Sequence, residues 1–93
     1  MNLRVIKKDI IFLTNDFLGD ALIALNFRAD EARQQSVLEV VNAVIDLQDE
    51  TISKIAHPDP EVKPRKYYRE LAQNFVVALD AQYDRHRTLI QGN

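Results

Sequence analysis

Apolar positions return every three or four residues along most of this chain, and the pattern breaks hard only once. From Leu3 to Phe27 one row runs through Ile6, Ile10, Leu13, Phe17, Ala21 and Ala24, the spacing of one helix face. A second row, Ile11, Leu18, Leu22 and Leu25, lies beside it, with Phe12 and Ile23 in addition. An ordinary surface helix needs an apolar face only about 100° wide. The excess predicts burial against more than one neighbour. Gly19 sits inside this helix, where glycine costs about 1 kcal/mol relative to alanine; it permits a close helix crossing or marks a kink. Thr14-Asn15-Asp16 is the expected local irregularity, because these side chains compete for backbone hydrogen bonds.

The next helix is predicted over 30–56. Its apolar rows are Val37, Val40, Val41, Val44, Leu47 and Leu38, Val41, Ile45, Ile52, Ile55, with Glu39, Asn42, Asp46, Asp49, Glu50 and Ser53 opposite. Strand-like alternation is absent, so the 3.6 period outweighs the weak helix propensity of the β-branched residues. Asn26 as a left-handed terminator and Asp30 as N-cap place a turn at 26–30. The competing reading is one continuous rod, since no glycine or proline falls between Asp20 and His57. Such a rod would be about 80 Å long and would require a partner chain.

Pro58, Pro60 and Pro64 then stop the second helix and make an extended connector. Pro64 suits the first turn of a third helix, predicted over 64–91. Its apolar row is Tyr68, Leu71, Phe75, Leu79, Gln82, His86 and Leu89, with Tyr67, Ala72, Val76, Tyr83 and Ile90 alongside. Gly92 is its expected stop. The pattern therefore predicts an all-α, up-down-up three-helix bundle with long helices (about 3–27, 30–56 and 64–91), completed by self-association.

Ninety-three residues predict a single helical domain, 1–93. Domains this small are often helped by disulfides, metals or self-association. No cysteine is present, so disulfides and zinc thiolates are excluded, and a reducing compartment is favoured. The apolar runs Ile10–Leu13 and Ala21–Leu25 are too short to cross a bilayer, and no cleavable leader is legible. The expected setting is cytoplasmic, with no membrane role. Twelve basic and fourteen acidic residues give a net charge of −2, not the basic balance of a typical nucleic-acid binder. The charge is uneven: residues 30–57 carry Arg33 and Lys54 against Asp30, Glu31, Glu39, Asp46, Asp49 and Glu50.

Little chemistry is legible. Lys63, Arg65, Lys66 and Arg69 gather at the start of the third helix with Tyr67 and Tyr68. Cations beside helix N–H groups suit an anion or a nucleic-acid backbone, and tyrosines can stack on bases. The intramolecular alternative is favoured: Asp49 and Glu50 neutralise Arg65 and Lys66, and the tyrosines cap the core. Glu39, Asp46, Asp49 and Glu50 have the chemistry to hold Mg²⁺, but they lie on a polar face without a matching acidic pair, so a solvated face is favoured. His86, beside Tyr83 and Ile90, fits a core-edge histidine better than a general base. No nucleophile–base pair and no glycine-rich phosphate loop is present. No catalytic residue, metal ligand or cofactor is therefore predicted.

The function read from the sequence is a non-catalytic helical interaction or structural module. It packs helices with itself, a dimer being favoured, or with a larger protein partner. The expected interface is Ile11, Phe12, Leu18, Leu22 and Leu25. The alternative is a small anion- or nucleic-acid-binding protein using Lys63, Arg65, Lys66 and Arg69.

Overall fold

The computed structural model describes residues 3–27 and 30–91. Three helices account for nearly all of them: α1 Leu3–Phe27, α2 Glu31–Ala56 and α3 Pro64–Gln91. They form the up-down-up bundle that the periodicity predicts. Gly92, the expected stop of α3, lies outside the described residues, as do Arg28, Ala29 and the side chain of Ile90.

The break between α1 and α2 rules out the continuous rod. Asp30 is extended, at φ −72° and ψ 176°. Its Oδ1 accepts from the Arg33 N–H at 2.8 Å, and its C=O accepts from Gln34 N–H at 2.8 Å. This is an N-cap satisfying one of the orphan donors of the first turn. Asn26 does not terminate α1 in a left-handed conformation. It lies inside the helix, and no described non-glycine residue has a positive φ. The expected irregularity at Thr14–Asp16 is also absent. Thr14 is buried and returns its Oγ1 hydrogen to the Ile10 C=O at 2.9 Å, so its hydroxyl is satisfied without leaving the helix.

At the other end, His57 is forced out of helical geometry by Pro58, with φ −129° and ψ 69°. Asp59 organises the connector through a local turn: its Oδ1 accepts from Glu61 N–H at 2.9 Å and its C=O from Val62 N–H at 3.3 Å. Pro64 opens α3, where its missing N–H costs no helical bond.

The core is built from Ile10, Phe17 and Ala21 of α1, Val37, Val40 and Val44 of α2, and Leu71, Phe75 and Leu79 of α3. Burying a side chain as large as Phe17 or Phe75 stabilises by about 1.5–3 kcal/mol. α2 packs most extensively on α3, and α1 touches α3 least. The bundle is elongated, 47 × 19 × 16 Å with a radius of gyration of 15.1 Å; a compact domain of this length has about 12 Å. Its accessible surface is 6551 Å², against about 5,500 Å² expected for a monomer of this mass. The structure therefore leaves more surface in water than a domain of its size ordinarily does. No helix among the described residues is long and apolar enough to cross a membrane.

Candidate docking face

Among the described residues, most of the exposed large apolar side chains lie on α1, with two more on α2 and two on α3. Phe12 is 68% exposed, Leu22 59% and Ile23 55%, with Val5 and Ile11 also in solvent. On α2, Leu38 and Ile45 are exposed as well. The two helices are antiparallel, tied at one end by Gln34 Nε2 donating to the Leu25 C=O at 3.4 Å. At the other end Leu3 of α1 shares a cleft with Ile52 and Ile55 of α2. Between these ties Leu22 falls level with Leu38, and Ile11 with Ile45. Leu18 and Val41, both half-buried against the core, lie between them. Ile11 and Leu22 thus face the seam with Leu38 and Ile45, whereas Phe12 and Ile23 lie farther round α1, beyond the polar row of Lys8, Asn15 and Asn26.

The structure divides the residues expected at an interface. Ile11, Phe12 and Leu22 are exposed, whereas Leu18 and Leu25 pack partly against the bundle's own core. Leu38 and Ile45 belong to the face but were assigned to the core side of α2 by their periodicity. The signal that distinguishes them is their seven-residue spacing on a row of their own, beside rather than within the Val37–Val40–Val44 stripe.

Gly19 lies on this outward side of α1. A methyl group built there would meet nothing within 4 Å. It neither kinks the helix nor permits a close crossing within the chain. A glycine in a helix interior costs about 1 kcal/mol relative to alanine, and no intramolecular contact explains that cost.

At the start of α3 the structure lacks the pairing of Arg65 and Lys66 with Asp49 and Glu50. Lys63, Arg65, Lys66 and Arg69 are all exposed. Lys66 approaches Glu70 of its own helix at 4.0 Å, while Glu50 binds Lys54 at 3.0 Å. These two pairs connect neighbours on one helix, and among the described residues no ion pair joins Asp49 or Glu50 to Arg65 or Lys66. The tyrosines do cap the core, Tyr68 buried in it and Tyr67 packed against it, and both also bond to α2. Tyr67 donates its phenol hydrogen to the Lys54 C=O at 2.9 Å, and Tyr68 to the Ile55 C=O at 3.3 Å.

Other titratable groups have structural partners. Glu39 meets Arg85 at 3.5 Å across the α2–α3 seam, and Asp84 meets Arg87 at 3.2 Å. Tyr83 donates to Asp16 Oδ2 at 3.0 Å; burial first, then the Asp16 carboxylate, pushes its pKa up to about 12. His86 is buried against Phe17, ring centroids 5.4 Å apart. Burial lowers its pKa, and the Asp20 carboxylate partly opposes that shift. Its Nδ1, like the Oε1 of Gln82 one turn earlier, has no hydrogen-bond partner among the described residues. Among the described residues, no three His, Asp or Glu side chains gather as metal ligands would. Comparison with protein-family models, with curated proteins and with solved structures finds no match for this chain.

Proposed function

We propose that this protein is a non-catalytic, cytoplasmic helix-packing module that acts by docking an apolar helical surface, its own copy first, on the α1–α2 face. The observation that carries this reading is the set of large apolar side chains exposed along α1 and beside its seam with α2: Ile11, Phe12, Leu22, Ile23, Leu38 and Ile45. Large contiguous apolar patches mark interaction sites far more often than single exposed residues do. A standard interface buries about 800 Å² on each partner, and the elongated bundle has surface to spare. The rival anion-binding reading rests on exposed cations alone, because both tyrosines beside them are hydrogen-bonded back to α2.

The test compares wild type with the double variant Phe12→Ser/Leu22→Ser in thermal unfolding at several protein concentrations. Association stabilises the folded state by mass action, so the wild-type midpoint rises with concentration and the variant's does not. A wild-type midpoint independent of concentration would remove self-association from the reading.

A further inference from the structure

Where α1 begins, α2 finishes and α3 starts, the end of the bundle holds a cleft of about 600 Å³, within the range that small-molecule sites occupy. All three helices line it. Its floor is apolar and buried, made by Ile55 of α2 and Tyr68 of α3. Leu3, Ile52 and Pro58 form its walls. The Tyr68 hydroxyl is already committed to the Ile55 C=O at 3.3 Å. The charged side chains at the cleft are those of Arg4 and Lys7, both exposed residues.

The charge of this cleft has one sign. The chain as a whole carries a net −2, yet no carboxylate lines the cleft. A second cleft, between α2 and α3, is mixed, with Lys54 set among Asp59 and Glu70. Arg4 and Lys7 are three residues apart and so share one face of α1, whereas Asp9, two residues beyond Lys7, does not face it. Among the described residues Lys7 forms no ion pair. Both cations stand in the first two turns of α1, where the helix dipole disfavours them, and no acidic residue in the first turn offsets them. An anion at the cleft relieves that placement.

From this combination we infer that the cleft binds an aliphatic anion. A single hydrocarbon chain lies on Ile55 and Tyr68, and its carboxylate or phosphate head is held between Arg4 and Lys7. The lining selects this class. With the Tyr68 hydroxyl taken, the floor offers no side-chain hydrogen bond to a polar body such as a sugar or a base, and leaving polar groups buried without partners is costly. The two cations repel a cationic head and leave a neutral one without a charge partner. The site lies apart from Phe12, Leu22 and Ile23 and does not depend on what covers them.

The test titrates the protein with decanoate and follows the isoleucine methyl signals by NMR. Decanoate shifts Ile52 and Ile55 saturably and leaves Ile11, Ile23 and Ile45 in place. Decanol, with the same chain and no charge, binds at least about tenfold more weakly, and so does acetate, which has the charge without the chain. In Arg4→Gln/Lys7→Gln both replaced side chains are exposed, so helicity is kept while decanoate affinity falls at least about tenfold. Decyl phosphate, run beside decanoate, identifies the preferred head. Failure of both anions to shift Ile52 and Ile55 saturably would overturn the proposal. So would equal shifts at Ile11 and Ile23, which mark indiscriminate adsorption, equal affinity for decanol, or a double variant that binds decanoate as well as wild type.

Discussion

Tyr67 supplies to Lys54 the hydrogen-bond donor that Pro58 cannot. In a continuing helix the Lys54 C=O would accept from the N–H four residues on, but that residue is proline. The phenol of Tyr67 occupies the place at 2.9 Å, and Tyr68 does the same for Ile55 at 3.3 Å. The Ser53 C=O takes the His57 N–H at 3.0 Å. Three carbonyls of the last turn of α2, orphans of the kind every helix end leaves, are thus satisfied in succession. The two tyrosines bind the first turns of α3 to the last turn of α2 and fix the angle of the connector.

Replacing Tyr68 by Phe therefore keeps the ring but leaves the Ile55 carbonyl without that donor. The expected loss is about 1–2 kcal/mol. Tyr67→Phe costs less, about 0.5–1 kcal/mol, because water reaches its exposed bond. Urea unfolding followed by circular dichroism checks the order: Tyr68→Phe lowers the midpoint more than Tyr67→Phe. The reverse order would contradict the account.

Phe17 sits where all three helices meet, fully buried, with its ring edge-on to Tyr83 at 4.8 Å. Phe17→Ala removes that ring from a core with few large side chains, at a cost of about 3–5 kcal/mol. That is a large share of the roughly 5–15 kcal/mol that holds a domain together. The variant is expected to show greatly reduced helicity at 37 °C, and near-native thermal stability would refute the packing description.

His86 makes stability depend on pH. Its ordinary pKa is 6.5 and burial beside Phe17 lowers it in the folded state. The unfolded chain therefore takes up the proton first as pH falls. Stability is fully retained above the unfolded value of 6.5 and declines as pH drops from there through the lower folded value. Unfolding midpoints between pH 7.5 and 5 should fall, and His86→Phe should flatten that part of the curve. An equal decline in the variant would assign it to other groups.

The helices and their ends were legible in sequence because their signals are local. The 3.6-residue row, the Asp30 cap and the three prolines each act within a few residues, and all three helices formed close to the predicted bounds. Asn26 misled because its left-handed tendency is weak beside the helix continuing to Phe27. The docking face was half legible. The excess width of α1 was visible in Ile11, Phe12 and Leu22. Which half of each apolar band meets the core depends on where the neighbouring helix lies, and that is set by tertiary packing. So Leu18 and Leu25 turned partly inward, while Leu38 and Ile45 on α2 were left in solvent. That the tyrosines cap the core was legible; their hydrogen bonds to α2 were not, since these depend on a contact 13 residues away in sequence.

Exposed cations at the start of α3 contribute little to the fold on this description. Replacing Arg65 and Lys66 together by Gln breaks only the marginal Lys66–Glu70 approach at 4.0 Å. Surface pairs of this kind stabilise by about 0–1 kcal/mol, and the unfolding midpoint is expected to move little. A large loss would show that these side chains neutralise α2 after all.

The central claim is that the α1–α2 face is covered by a second copy of the chain. Sedimentation equilibrium across a wide range of protein concentrations tests it most directly. The account predicts a mass rising from 10.7 kDa to twice that value. It also predicts that Phe12→Ser/Leu22→Ser stays at the monomer mass with its helicity intact. A wild-type chain that remains a monomer at the highest concentrations, or a double variant that dimerises as well as wild type, would contradict it.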